Sequence, residues 1–409
     1  MSATNTAIET VWRMESARLI AGLTRYVRDV GLAEDLAQEA LIAALEQWPS
    51  DGIPRNPGAW LMGTAKHRAI DLFRRNERLA RKTEELGRDL ESQQESTTAE
   101  FDEAIEEVQD NLLRLMFTAC HPVLSLDARV AMTLRLLGGL TTEEIARAFL
   151  VPEPTVAQRI VRAKRTISES KVPFEVPGGT ELRERLDSVL EVVYLIFNEG
   201  YSATSGEDWL RADLCEDALR LGRMLAALAP DEPEVHGLVA LMEIQASRLR
   251  ARVGPDGAPI LLLDQNRARW DQLLIRRGLA ALDRAESLAM APGPYVLQAA
   301  IAACHARARK ADETDWPAIV RIYDQLLALS GSPVVELNRA VAVSMAFGPG
   351  AGLAALDSLA SEPALRNYHL LPSVRGDFLF KLGRRAEAKV DFERAAAMTR
   401  NERERALLL

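Results

Sequence analysis

The chain has 409 residues, of which 48% are hydrophobic, so it is long enough to form more than one hydrophobic core. Its N-terminus lacks the basic flank and apolar stretch of a signal peptide and no apolar run reaches membrane-spanning length, which predicts a soluble, cytoplasmic protein with no membrane partner. The net charge of −9 at pH 7 argues against non-specific coating of nucleic acid, because that requires a broadly basic surface, and any contact with DNA must be local.

The sequence predicts an all-α protein. Strand signals are nearly absent, while Ala, Leu, Glu and Arg recur at spacings of three and four residues. Between residues 83 and 110 eleven acidic residues accompany a single basic one, Arg88, which is typical of a linker. Two prolines and two glycines between residues 172 and 180 mark a second linker. The predicted segments are a helical domain (1–82), an acidic linker (83–109), a second helical domain (110–171), a linker (172–180) and a helical extension (181–409).

The first domain contains an amphipathic helix between Leu32 and Trp48. Its predicted inward face consists of Leu36, Ala40, Leu41 and Ala44. The opposite face is acidic and partly apolar, which suits a basic protein partner better than DNA. It carries Asp35, Gln38, Glu39 and Ile42.

A second helix of this domain is predicted from Asn56 to Arg75. Asn56 is a capping residue, Pro57 suits the first helical turn, and the segment ends in basic residues that continue to Lys82.

Residues 140–167 carry the pattern of a helix-turn-helix. Thr141 or Thr142 can cap the first helix, with Glu144 near its third position. Pro154 suits the start of the second helix, where no backbone donor is needed. Polar residues at that end can read base edges, and basic residues further along suit phosphates. We assign base edges or nearby phosphates to Thr155, Gln158, Arg159 and Arg162, and phosphate contacts to Lys164 and Arg165. A solvent-exposed basic helix of a bundle is the alternative.

The helical extension shows a weak internal repeat. Two predicted helical hairpins are joined at Gly348 and at Gly383, which are 35 residues apart (383 − 348), and Ala351 and Ala386 keep that offset. This period is close to that of tetratricopeptide repeats. Residues 295–329 fit a further copy. An ordinary helical bundle is the alternative to repeats.

Polar residues between the apolar turns of the extension predict a buried network, because buried polar groups need partners. A structural network of salt bridges is favoured over a ligand pocket. The candidates are Asn198, Glu199, Tyr201, Arg211, Asp213, Asp264, Arg267 and Asp271.

Taken together, these motifs resemble the extracytoplasmic-function (group IV) sigma factors of bacterial RNA polymerase. Glu34 to Ala40 (EDLAQEA) resembles the segment that docks on the clamp coiled coil of the polymerase's large subunit. Residues 56–75 resemble the segment that melts and reads the −10 element, and residues 110–171 the domain that reads the −35 element. Tyr194 to Ser202, Arg211 to Cys215 and Leu263 to Asp271 resemble a subgroup with a tetratricopeptide-like C-terminal extension.

The resemblance implies a sigma factor that binds core RNA polymerase and directs promoter-specific initiation. Its fused extension would regulate it through a protein or small-molecule partner. Asp35, Gln38, Glu39 and Ile42 would bind the clamp, and Lys66, His67, Arg74 and Arg75 would face the opened −10 strand. Many members have Asn in place of His67, so the −10 base preference does not carry over.

Two other functions compete with this interpretation. A one-component regulator would fuse a sensor to the helix-turn-helix and would not need residues 32–82. A repeat scaffold for protein partners would not bind promoters specifically. An enzyme is not expected, since no Gly-rich nucleotide loop or Ser-His-Asp ordering is present. Cys120, Cys215 and Cys304 stand far apart, which predicts reduced structural thiols, and the chain offers no spacing for a metal or cofactor.

Overall fold

The computed structural model of the chain describes residues 3–83, 101–149, 151–202, 210–254, 258–359, 361–366, 368–399 and 401–409. These residues form helices and no β-strand, apart from an isolated antiparallel bridge between Val253 and Pro259. The predicted all-α fold is confirmed. Among the same residues, no helix combines the length and apolar character needed to cross a lipid bilayer. The chain divides into two compact units, Met1–Val192 and Val193–Leu409.

Three long helices open the N-terminal unit: α1 (Ala3–Val27), α2 (Val30–Asp51) and α3 (Pro57–Thr83). Capping side chains fix where the second and third begin. Asp29 Oδ1 accepts a hydrogen bond from the Leu32 N–H at 2.8 Å, and Asn56 Oδ1 accepts one from the Ala59 N–H at 3.1 Å. The cap predicted at Asn56 is therefore confirmed. Small residues on α2 are buried and allow close helix packing: Ala33, Ala37, Ala40, Ala43 and Ala44.

Four further helices follow in the same unit: α4 (Phe101–Ala119), α5 (Leu126–Leu136), α6 (Thr142–Phe149) and α7 (Glu153–Glu169). Helix α4 begins inside the segment predicted as a linker, because apolar residues recur at helical spacing from Phe101 through Ile105 and Val108 to Leu112. Residues 84–100 of that segment lie outside the described residues.

Helices α6 and α7 form the predicted helix-turn-helix. Thr141 provides the cap: its Oγ1 accepts from the Glu144 N–H at 3.1 Å, and Glu144 Oε2 accepts from the Thr141 N–H at 2.7 Å. This reciprocal pair satisfies two backbone donors at the start of α6. The apolar stripe of α7 is buried in full: Val156, Ile160, Ala163 and Ile167.

Helix α8 (Gly179–Tyr201) begins in the N-terminal unit and ends in the C-terminal one. Its first half is fastened to α4 and α5. Arg185 donates to the Phe117 carbonyl at 2.9 Å, and Ser188 Oγ donates to the Cys120 carbonyl at 2.7 Å. Arg129 of α5 donates to Ser188 at 2.5 Å. The N-terminal unit therefore includes part of a helix that the sequence assigned to the extension.

The C-terminal unit continues with α9 (Ala212–Leu228), α10 (Pro233–Ala246), α11 (Gln272–Leu288), α12 (Pro294–Arg307), α13 (Trp316–Ser330), α14 (Pro333–Phe347), α15 (Pro349–Ala355), α16 (Leu370–Lys381), α17 (Arg385–Met398) and α18 (Glu402–Leu408). From α12 to α18 each helix packs on the next. Gly348 (φ +94°) and Gly383 (φ +79°) form the two predicted joints, in a backbone region that favours glycine. Assignment of these hairpins to the tetratricopeptide class stays a prediction.

Candidate nucleic-acid and polymerase interface

Helix α7 presents the side chains predicted to read bases on one face. Its buried stripe packs inward, so that Thr155, Gln158 and Arg162 are exposed and Arg159 is half-buried. All four line one cleft of about 400 Å³, which we call the reading cleft. Gln and Arg side chains supply the paired donors and acceptors that recognise base edges in a major groove. The structure thus brings together the residues that the sequence assigned to this task.

The reading cleft also contains an acidic residue that the sequence did not indicate. Asp127, in the first turn of α5, lies 2.9 Å from Arg159 Nη2. An exposed ion pair of this kind contributes little stability but fixes the orientation of the guanidinium group. Arg159 is therefore held by Asp127, whereas Arg162 has no such ion pair among the described residues.

The two basic residues assigned to phosphates differ in their surroundings. Arg165 is 76% exposed and pairs with Glu169 of its own helix at 2.6 Å. The Lys164 ammonium lies between two carboxylates of α2, 2.7 Å from Glu34 Oε2 and 3.2 Å from Asp35 Oδ1. Arg165 is thus open to DNA, while Lys164 is engaged with α2.

The residues predicted to bind polymerase lie along α2, and we call them the α2 face: Asp35, Gln38, Glu39 and Ile42. Ile42 is 52% exposed, as suits an apolar contact with a partner. Gln38 donates to Glu34 Oε1 at 2.5 Å, and Glu39 pairs with Arg68 of α3 at 2.9 Å.

The residues predicted to face the −10 strand lie on α3. Lys66, His67 and Arg74 are exposed, consistent with contact to a nucleic acid. The side chain of Arg75 lies outside the described residues.

In the C-terminal unit, the predicted polar network is not one cluster. Glu199 and Arg211 form an ion pair. Asp271 instead caps α11 by accepting from the Leu273 and Leu274 N–H groups, while Asp213 and Asp264 are exposed. The side chain of Asn198 has no bond to the other seven among the described residues.

Tyr201 and Arg267 are connected through residues that were not predicted. The Arg267 guanidinium lies 5.0 Å from the Trp270 ring centre, and the Arg248 guanidinium lies 5.7 Å from both the Trp270 and Tyr201 rings. The Arg252 guanidinium lies 3.7 Å from the Tyr201 ring centre. We call this alternating series of cations and rings the arginine column.

Arg267 of the arginine column makes three hydrogen bonds outside the column. It donates to the carbonyls of His305 and Ala308 at 2.7 and 2.8 Å, and to Thr314 Oγ1 at 3.1 Å. Burial, together with the charges of Arg248 and Arg267, lowers the pKa of His305 from 6.5 to about 4. His305 is therefore neutral at pH 7. Arg267 caps the C-terminal end of α12, because it donates to the carbonyls of His305 and Ala308.

Three family models match the chain in order: Sigma-70 region 2 over residues 12–79, Sigma-70 region 4 over residues 114–167, and a family of unknown function (DUF6596) over residues 185–286. The chain belongs to the sigma-70 family. Its two regions are typical of extracytoplasmic-function sigma factors, here with a C-terminal extension.

The family assignment extends to a curated relative. A protein of Rhizobium meliloti (strain 1021), described as uncharacterized, is 44% identical over 390 residues, which cover 95% of this chain and 91% of the relative. No solved structure matches the chain.

Region 2 decides between the functions that the sequence left open. A one-component regulator has no need of this region, and the region 2 match spans the residues that such a regulator would lack. The protein is a sigma factor for promoter-specific transcription, which binds core RNA polymerase and promoter DNA.

Sequence reasoning missed several residues of this sigma factor that the structure brings together. Glu34 follows Val30 and precedes Ala37 and Leu41 at helical spacing, so the buried position of its carboxylate was readable from the sequence. The contacts of Arg135 and Arg248 were not readable, because their partners lie far away in the chain.

Proposed function

We propose that the α2 face docks on the clamp coiled coil of the polymerase, that α3 faces the opened −10 strand, and that the reading cleft recognises the −35 element. The reading cleft carries this proposal, since four residues chosen from the sequence alone line one surface of α7. A helix-turn-helix reads the major groove through this part of its second helix. Ile42 supports the docking role, as a large apolar side chain that is more than half exposed on an otherwise polar face.

We also propose that the C-terminal extension regulates initiation by binding a protein or a small molecule. Helix α8 supports this role, because its first half is hydrogen-bonded to region 4 through Arg185 and Ser188. The same helix continues to Tyr201, a member of the arginine column. Helix α8 therefore directly connects the extension to the domain proposed to read the −35 element.

The roles of the two surfaces are tested by paired substitutions in the full chain. Arg162→Ala removes a donor from the reading cleft and is expected to weaken promoter binding about tenfold, with core affinity unchanged. Ile42→Ala removes an exposed apolar contact and is expected to weaken core affinity about tenfold, with promoter binding by the free protein unchanged. Run-off transcription, promoter binding and core binding are measured for both variants. Equal losses in both binding assays for both variants contradict the separate roles.

Regulation by the extension is tested by shortening the chain. The shortened version ends after Val192, because ending it at Lys171 would remove the α8 residues that pack against Phe117 and Cys120. The ratio of promoter-specific transcript from the two versions measures whether the extension activates or inhibits. Identical transcript from both versions, with and without cell extract, contradicts a regulatory extension.

A further inference from the structure

Region 4 contributes two basic side chains to the same acidic site on region 2. The Lys164 ammonium lies 2.7 Å from Glu34 Oε2, and Arg135 Nε lies 2.6 Å from Glu34 Oε1. Lys164 also reaches Asp35 at 3.2 Å. We call these four residues the clasp. The clasp joins helix α2 of region 2 to helices α5 and α7 of region 4.

The clasp is part of a longer interface between the two regions. Arg13 of α1 lies 2.7 Å from Glu144, which accepts a hydrogen bond from the capping residue Thr141 of α6. The backbone of Gly139 lies so close to α1 that a side chain there would come within 2.9 Å of Ser16 Oγ. Ser16 is fully buried, and its hydroxyl has no hydrogen-bond partner among the described residues. The burial of Ser16 beside Gly139 shows that region 4 covers this part of α1.

The electrostatics of the clasp depend on region 4. The Glu34 side chain is only 3% exposed, and a buried carboxylate without cationic partners is strongly unfavourable. Lys164 and Arg135 provide these partners. Gln38, which belongs to the α2 face, also donates to Glu34.

The residues of the clasp belong to surfaces with other assignments. Asp35 lies on the α2 face, which is proposed to bind polymerase, and Lys164 is proposed to contact DNA phosphates. The −35 and −10 elements are centred about 25 base pairs apart, or roughly 85 Å at ~3.4 Å per base pair. Regions that bind these two elements at once cannot also hold Lys164 within bonding distance of Asp35.

We propose that region 4 is an intramolecular ligand of the α2 face, and that core polymerase must displace Lys164 and Arg135 from Glu34 and Asp35 before the holoenzyme forms. This inference rests on the proposed function. Lys164 and Arg135 pair with the α2 carboxylates in the way that a basic surface of a protein partner would. The free protein is thereby kept closed, with the docking acid Asp35 and the phosphate contact Lys164 occupied by each other.

The closed state is tested first without polymerase, through the reactivity of a buried thiol. Ser16→Cys places a thiol beneath Gly139, and its alkylation in the full chain is located by mass spectrometry of the peptide. Adding Arg13→Glu repels Glu144 and is expected to speed alkylation about threefold, the change expected for loss of one exposed ion pair. Arg18→Glu is the matched control, because the ion pair of Arg18 is with Glu15 of its own helix rather than with region 4.

The second measurement is the affinity of the same variants for core polymerase, without the thiol substitution. Arg13→Glu is expected to bind core about threefold more tightly than Arg18→Glu, because less of the protein is closed. Neither residue belongs to the α2 face or to the reading cleft.

The outcomes separate this inference from the proposed function. Faster alkylation and tighter core binding with Arg13→Glu support the inference. If Ser16→Cys alone is alkylated as fast in the folded chain as in the unfolded chain, the closed state is overturned, whatever the transcription result. Faster alkylation with unchanged core affinity overturns the competition with polymerase. If no variant binds core at all, the proposed function fails while the alkylation result still decides whether the clasp closes.

Discussion

The two units of this sigma factor each bury charge, but they compensate for it in opposite ways. In the N-terminal unit, the Glu34 carboxylate is buried between the two cations of the clasp. In the C-terminal unit, Arg267 is 9% exposed and is satisfied by two backbone carbonyls, a threonine hydroxyl and the Trp270 ring.

This difference separates an exchangeable contact from a structural one. A second protein can supply new cations to Glu34 and Asp35, so the clasp can open without leaving a carboxylate unpaired. The carbonyls at the end of α12 have no such replacement, because no partner can reach buried backbone acceptors. The clasp therefore suits regulation, whereas the arginine column suits support of the fold.

The titration of the two sites follows the same difference. Burial raises the pKa of Glu34, but the charges and hydrogen bonds of Lys164 and Arg135 outweigh it, so the net pKa is lowered. For His305, burial and the charges of Arg248 and Arg267 all act in the same direction, and its pKa falls to about 4. Glu34 stays ionised in the closed state, and His305 stays neutral.

Arg267→Met is expected to give the largest effect on stability. It leaves the carbonyls of His305 and Ala308 without their donor, at a cost of about 3 to 4 kcal/mol in the free energy of unfolding of the C-terminal unit. Urea unfolding of the full chain, followed by hydrogen exchange in peptides of α12, measures this cost. The control is Arg269→Met, at an exposed position of the short 3-10 helix Arg267–Arg269. Equal stability of the two variants would show that the column does not support the fold.

A smaller effect is expected from acid. Below pH 6.5 His305 is protonated in the unfolded chain but not in the folded chain. Its contribution to the free energy of unfolding is therefore fully present above pH 6.5 and is lost as the pH falls from 6.5 to about 4. The loss reaches about 2 to 3 kcal/mol at pH 4. His305→Phe keeps a ring against Trp316, 5.1 Å away, but has no proton to gain. Its unfolding free energy should fall less over this pH range than that of the parent; parallel pH profiles would exclude His305 as the cause.

The fold and the recognition surfaces were predictable where the information is local. The Thr141 cap, the α7 stripe and the hairpin glycines Gly348 and Gly383 each follow from neighbouring residues, and all are present. The members of the reading cleft share one face of one helix, so helical spacing was enough to group them.

The missed features involve contacts between distant segments. Lys164 and Asp35 are 129 positions apart in the chain (164 − 35). Nothing in the periodicity of either helix indicates their pairing. The arginine column was missed for a similar reason: Arg248 follows a continuous buried helix and resembles an ordinary C-terminal basic residue.

Lys164→Met tests the comparison most finely, because it should change the two binding reactions in opposite directions. Loss of a phosphate contact is expected to weaken promoter binding about fivefold. It is also expected to reduce the slope of log affinity against log salt concentration by about one. Loss of the clasp cation is expected to strengthen core binding about threefold. Both affinities are measured by titration with labelled promoter and labelled core.

Arg165→Met is the matched control for this split. Arg165 is the next residue on the same helix and is also assigned to phosphates, but its ion pair is with Glu169 rather than with region 2. It should weaken promoter binding by a similar factor and leave core binding unchanged. If both variants bind core equally, Lys164 acts only on DNA, and the contact with Glu34 and Asp35 does not compete with polymerase.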